Sequence, residues 1–220
     1  MIMREGGGFF MSAYLDIHYG VEAMRHLMTV DRALAPTIEK YGRVGAKRDP
    51  DIFAALVSAI VGDGISAANA LAIEKRMIAL CGEISVSGIL SSNAASLKEI
   101  GLPQTKATTL IDLAEAVSGG RLDLQDTYHF DDAGYVDFLA GIKGVSRTAA
   151  ETVAIFGEGR LDVFMYGGAA YQKAIMQIHG YTSYSRERHD RLGKLYSPYG
   201  TVATLYYLAI ADELARAVAP

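Results

Sequence analysis

The chain contains no tryptophan, one cysteine and five prolines in 220 residues, and it carries no excess of positive charge. Each shortage excludes something. A single thiol, Cys81, rules out an internal disulfide framework and any four-cysteine zinc or iron-sulfur centre, and it fits a reducing compartment, so a cytoplasmic protein with Cys81 packed in the core is expected. The formal net charge of −4 means that the chain as a whole exerts no general pull on phosphates, and nucleic-acid contact would have to come from a local patch. The opening stretch MIMREGGGFFMSAYLDI has one early arginine and a broken apolar run, which gives neither a signal-peptide core nor a membrane anchor; residues 1–12 are expected to be flexible. The histidines, His18, His26, His129, His179 and His189, are too scattered to suggest a metal site and are expected at the surface or at helix caps. No metal or cofactor is called for, and a monomer is expected.

What is present is enough apolar material for a sizeable core: half of the residues are hydrophobic, which suits a single domain over 1–220. Periodicity is helical almost throughout, with no strand set visible. Helices are expected over Val21–Met28, from an Asp31 cap to Tyr41, over Asp51–Ile60 with a wide apolar stripe, and over Ala67–Leu80, Ser92–Ile100 and Gln104–Ser118. Tyr135–Ile142, a turn Lys143-Gly144-Val145-Ser146, and Arg147–Phe156 read as helix, tight glycine turn, helix, with Asp131-Asp132 as a capping cluster ahead of them. Leu161–Met165 reads as an extended apolar connector, followed by helices over Ala169–Ile178 and Val202–Val218; Arg186–Arg191, mixed in sign, reads as a solvated helix face. The total is about ten helices in an all-α chain.

A glycine turn between two helices exposes backbone N–H groups that can hold a phosphate without reading sequence. The hairpin, together with FAALVSAIVGDGIS at 53–66, LKEIGLPQTKATTLIDLAEAVSGGRLDL at 97–124, GIKGVSRTAAETVAIFGEGRLDVF at 141–164 and SPYGTVATLYYLAIAD at 197–212, resembles the alkylpurine (3-methyladenine) branch of the helix-hairpin-helix (HhH-GPD) DNA glycosylase superfamily, from about Val21 to Glu213. The resemblance implies a two-lobed all-α fold with the hairpin near 135–156, double-stranded DNA as partner, no iron-sulfur cluster, and excision of damaged bases in base excision repair. It also implies DNA contacts at Lys143, Gly144, Val145, Ser146, Arg147 and Thr148 in the hairpin and at Lys173, where relatives often carry paired basic residues and this chain has Gln172 and Lys173.

Four positions depart from the pattern. Ser146 stands where the hairpin's second glycine is usual; if that position needs φ > 0, serine brings a steric penalty. Thr148 stands where bifunctional relatives have a nucleophilic lysine and alkylpurine relatives often have tryptophan, so any excision would be monofunctional and water-driven. Gly200 stands where an arginine is frequent. Most consequential, D-V-F-P-x-x-D aligns with Asp162-Val163-Phe164-Met165-Tyr166-Gly167-Gly168, which leaves Gly168 where the family keeps its catalytic aspartate. That carboxylate stabilises the oxocarbenium character of the sugar as the N-glycosidic bond breaks. Substitute acids are Asp162, otherwise read as a helix cap or connector acceptor, and Asp63, otherwise a turn residue. With no tryptophan, the extruded base would be held by tyrosines, with Tyr166, Tyr171 and Tyr206 as candidates against the alternative of core packing. Three functions stay open: a glycosylase with a relocated or weakened acid, a catalytically silent damage binder, and an interaction scaffold that keeps the fold.

Overall fold

The computed structural model describes residues 15–125 and 127–218. The expected flexibility of residues 1–12 lies outside them. Among the described residues there are twelve α-helices, one π-helical turn and two strands of two residues each, so the all-α, two-lobed expectation holds. Chain contacts divide the protein into two compact helical units, one formed by the segment up to Arg48 together with the segment from Ala154, the other by Asp49–Val153.

The second unit is built around α3 (Ile52–Gly62), whose Leu56, Val57 and Val61 are fully buried and which packs against α4 (Ala67–Cys81), α7 (Gln104–Ser118) and α9 (Arg147–Val153). Burying each such aliphatic side chain contributes about 1.5–3 kcal/mol. α5 (Val86–Leu90), α6 (Ala94–Glu99) and α8 (Asp132–Ala140) complete this unit. Its helices begin where short polar side chains accept orphan N–H groups: Asp51 from Ala54 at 3.0 Å, Ser66 from Asn69 at 3.3 Å, Ser85 from Gly88 at 3.0 Å, and Asn93 in a capping box with Ser96. α5 has no counterpart in the sequence reading, because five residues are too short to show a period; Ser85 was the available signal.

The first unit contains α1 (Val21–Val30), α2 (Ala35–Tyr41), the π-helical turn Ala154–Glu158, α10 (Ala169–His179), α11 (Arg186–Tyr196) and α12 (Gly200–Val218). Here Val202, Ala203, Leu205, Tyr206 and Tyr207 of α12 are fully buried, and α10 lies along that helix. Leu15–Asp16 (β1) pairs antiparallel with Lys47–Arg48 (β2), a correction to the expectation of no strands; two residues carry no readable alternation. His179 and His189 are also corrections: His179 is half-buried, its ring held in a hydrogen-bonded network, and His189 is buried and stacked on Phe164 at 5.1 Å. No described helix is long and apolar enough to cross a membrane.

Candidate functional site

In the second unit, α8 starts at Asp131, whose Oδ1 accepts from Gly134 N at 2.7 Å, and ends at Gly141; the turn closes with Val145 N donating to Ile142 O at 3.0 Å. Gly144 has φ +86°, and a Cβ there would lie 2.2 Å from Thr109 Oγ1 on α7. Conformation and space both demand glycine.

Ser146 behaves differently. No non-glycine residue among those described has a positive φ, so the penalty considered for Ser146 does not arise. Its Oγ accepts from Ala149 N at 3.1 Å and its carbonyl from Ala150 N at 2.9 Å, which makes it the cap of α9. Of the other nominated DNA contacts, Val145 is buried and Thr148 half-buried, its carbonyl accepting from Thr152 Oγ1 at 2.8 Å. Lys143 is 89% exposed but sits 3.2 Å from Asp112, and Arg147 is 2.6 Å from Asp137 and 3.5 Å from Glu151. Each hairpin cation thus has a carboxylate beside it. Exposed pairs of this kind contribute about 0.2–1 kcal/mol, so a phosphate can displace the acid, at reduced net attraction.

The Gly62-Asp63-Gly64 turn, in the same unit, is fastened by a residue that sequence reasoning missed. Lys106 Nζ donates to Val61 O at 2.9 Å and to Asp63 O at 2.6 Å, closing the C-terminal end of α3. Burial lowers the Lys106 pKa while the nearby Asp63 carboxylate opposes that shift. Asp63 itself is half-buried.

In the first unit, the 161–165 connector is laced to the start of α12. Thr201 Oγ1 donates to Arg160 O at 2.6 Å and accepts from Val163 N at 3.1 Å, and Thr204 Oγ1 accepts from Met165 N at 3.1 Å. Asp162 Oδ1 accepts from Gly200 N at 3.1 Å and Oδ2 from Ser197 Oγ at 2.5 Å, so this carboxylate caps α12. A Cβ on Gly200 would stand 3.0 Å from Phe164 N, which explains a glycine where an arginine is frequent.

Gly167 and Gly168 follow, and they are unlike. Gly167 has φ +63°, and a Cβ would lie 2.4 Å from Tyr171 Cδ1. Gly168 is exposed, has φ −85° and ψ −179°, caps α10 without a side chain, and would present a Cβ to open space. The backbone of Gly168 is that of an ordinary N-cap without a capping side chain.

Of the three nominated pocket tyrosines, Tyr171 and Tyr206 belong to the core: Tyr171 is buried with its hydroxyl on Thr204 Oγ1 at 3.3 Å, and Tyr206 donates to Gly42 O at 2.7 Å. Tyr166 is half-buried, with the Arg186 guanidinium 5.6 Å from its ring and the Tyr184 ring at 5.7 Å. Arg186 and Tyr184 were also missed, because they lie eighteen or more residues downstream in a segment read only as a charged face. Lys173 is exposed on α10.

No protein-family profile matches the chain. A curated relative, the alkylbase DNA glycosidase-like protein mag2 of Schizosaccharomyces pombe (strain 972), is 23% identical over 192 residues, covering 84% of this chain and 90% of that protein. Among solved structures, DNA-3-methyladenine glycosidase from Bacillus halodurans superposes with a TM-score of 0.73 at 25% identity, covering 93% of this chain and 95% of the other. This is a helix-hairpin-helix DNA glycosylase fold. The Schizosaccharomyces pombe 3-methyladenine DNA glycosylase Mag1, solved in complex with abasic DNA, shares it with a TM-score of 0.75 at 19% identity, covering 84% of this chain and 94% of that one. In this chain the hairpin turn carries a serine that caps α9, and α10 begins at a glycine N-cap.

Proposed function

We propose that the chain is a DNA glycosylase-like protein of base excision repair that binds duplex DNA through the 143–148 turn and hydrolyses the N-glycosidic bond of alkylated purines. The observation that carries the reading is the hairpin: a tight turn that only glycine can make at Gly144, with Ser146 capping α9. Alkylation makes the base cationic and a good leaving group, so part of the barrier is removed before the protein acts. With Gly168 supplying no carboxylate, the protein contributes binding, extrusion of the base and orientation of water, and excision is confined to bases that are already labile. Tyr166 is the pocket candidate that keeps ring surface, and Lys173 and Arg147 supply phosphate contacts. Thr148 provides no amine for Schiff-base chemistry, so the reaction stops at the abasic site. The cytoplasmic, monomeric state expected from the sequence belongs to the same proposal.

A second reading, a silent damage binder, is favoured by one observation: Asp162, the acid nearest in sequence to Gly168, already accepts hydrogen bonds from Gly200 and Ser197. Base release from methylated duplex DNA, run beside a low-salt binding titration, separates the two. Slow release above the spontaneous rate is expected, with Asp63→Asn testing Asp63 as the substitute acid. Salt-sensitive binding with no release would establish the silent binder, and the absence of both would leave an interaction scaffold.

A further inference from the structure

The first unit has a concavity at the C-terminal end of α10, opposite Gly168. The 11 residues of that helix put the two ends about 16 Å apart at 1.5 Å per residue. The cavity has a volume of about 490 Å³ and is lined by Asp31, His179, Tyr181, Arg191, Lys194 and neighbouring leucines.

Its floor is a hydrogen-bonded network with one consistent proton arrangement. Asp31 Oδ1 accepts from the N–H groups of Ala33 at 2.9 Å and Leu34 at 3.2 Å, and its Oδ2 accepts from Tyr196 OH at 2.5 Å. Since the Tyr196 proton is committed to Asp31, the 2.8 Å contact between the Tyr196 and Tyr207 hydroxyls takes the Tyr207 proton. Tyr207 oxygen, 2.7 Å from His179 Nε2, then accepts from the imidazole. The neutral ring carries its proton on Nε2, and Nδ1 has no protein partner and is not enclosed. Protonation adds an N–H donor at Nδ1, facing the cavity.

Two cations share that cavity. Arg191 and Lys194 make no hydrogen bond or ion pair among the described residues, whereas on the same helix Arg186 pairs with Asp190 at 3.0 Å and Arg188 lies over the Tyr181 ring at 4.7 Å. Tyr181 in turn stacks on His179, with ring centroids 5.0 Å apart, and fixes the imidazole plane. The groups facing His179 are therefore Asp31 before α2, Tyr181 and Arg191 beside it, Lys194 and Tyr196 on α11, and Tyr207 on α12. The Asp31 carboxylate and the C-terminal end of α10 oppose an anion, but Asp31 is already compensated by two N–H groups and a hydroxyl. Arg191 and Lys194 outweigh it by one charge, and protonated His179 by two.

We propose that this cavity binds a phosphate monoester, held by Arg191, Lys194 and, once the imidazole is protonated, His179 Nδ1–H. The ligand is either a small phosphorylated molecule or the terminal phosphate of a nucleic-acid strand. Binding and protonation reinforce each other: burial holds the His179 pKa below its ordinary value, opposed by the Asp31 carboxylate and reinforced by Arg191, and a bound anion stabilises the imidazolium, so the imidazole's contribution to affinity enters as pH falls below the ordinary histidine range.

The test is a titration of the full chain with inorganic phosphate, followed by the His179 ring resonances as a function of pH. Phosphate is expected to raise the His179 titration midpoint by about one unit. Arg191→Gln and Lys194→Gln, at exposed positions that should leave folding intact, are each expected to weaken binding about tenfold. Arg186→Gln, a paired cation outside the lining, is expected to change nothing, and His179→Gln to leave only the pH dependence that the titration of phosphate itself imposes. Displacement of phosphate by a 5′-phosphorylated oligonucleotide but not by its unphosphorylated form would identify a strand end as the source; no displacement by either would identify a small molecule. Absence of phosphate binding, binding indifferent to Arg191 and Lys194, or equal displacement by the unphosphorylated oligonucleotide would overturn the proposal. None of these readouts depends on base release, so they stand apart from the glycosylase reading.

Discussion

The hairpin turn and the start of α10 each depart from the residue that the sequence resemblance leads one to expect, serine for glycine at 146 and glycine for aspartate at 168, and the two departures differ in kind. At Ser146 a glycine is replaced by a side chain that satisfies Ala149 N, so the substitution brings its own compensation. At Gly168, where the resemblance implies a carboxylate, the backbone is extended, the space a Cβ would enter is open, and no described neighbour occupies it. A structural position can be refilled by any residue with suitable local hydrogen bonding, whereas a position that supplied charge to a transition state cannot. The scaffold can therefore survive where the chemistry is weakened.

Gly168→Asp is the sharpest way to break this contrast. An aspartate fits φ −85° without strain, has room for its Cβ, and is a good N-cap for α10, so folding should be unchanged or slightly improved. Removal of one preorganised electrostatic group typically costs about 10²–10³ in rate, and its restoration should raise release of alkylated bases by a similar factor. Unchanged release in the well-folded variant would mean that DNA is not seated against this position. The next effect belongs to the turn. Gly144→Ala combines a positive φ with a clash on Thr109 and should destabilise the protein by about 2–3 kcal/mol, read from urea denaturation. A loss below about 0.5 kcal/mol would show that the turn yields easily, and with it the argument that it presents a fixed phosphate seat.

Smaller effects separate capping from chemistry. Asp162→Asn removes the charge that ties Gly200 and Ser197 to the connector and should cost about 1–2 kcal/mol of stability while leaving base release unaltered in the Gly168→Asp background. A large fall in release from Asp162→Asn with Gly168 in place would make Asp162 the substitute acid. Ser146→Ala should lower stability by about 1 kcal/mol, and Ser146→Gly by only a few tenths. No loss from Ser146→Ala would mean that the hydroxyl contributes nothing.

Much of the fold was legible because its signals are local and repeated. The stripe Phe53, Leu56, Val57 and Ile60 announced the buried α3, and Asp51 and Asp131 announced helix starts where their side chains do accept backbone N–H groups; Asp31 accepts instead in the turn ahead of α2, whose N-cap is Leu34. Gly119 is the C-cap of α7, whose bounds Gln104–Ser118 are those read from the sequence. What was not legible depends on distance along the chain. Lys106 reaches back 43 residues to the Asp63 carbonyl, Tyr196 reaches 165 residues to Asp31, and Tyr166 meets Arg186 through folding alone. No periodicity encodes such partners. The same holds for the carboxylates beside Lys143 and Arg147: a sequence shows two cations in a turn, but their neutralisation by Asp112 and Asp137 needs the packed helices.

That neutralisation yields the smallest and most specific expectation. If the hairpin turn seats a phosphate, Lys143 and Arg147 contribute by exchanging a carboxylate for a phosphate oxygen, so each gains only the difference between two exposed ion pairs. Lys143→Ala and Arg147→Ala should each weaken duplex binding only about two- to five-fold and reduce the slope of log affinity against log salt by about one unit or less. Asp112→Asn and Asp137→Asn should have the opposite sign, because removal of the competing acid frees the cation without altering the turn. A pair of charge-removing variants that shift DNA affinity in opposite directions would be hard to obtain from any general loss of stability. Equal and negligible effects from all four would instead mean that the turn makes its contribution through backbone N–H groups alone, or that the DNA lies elsewhere.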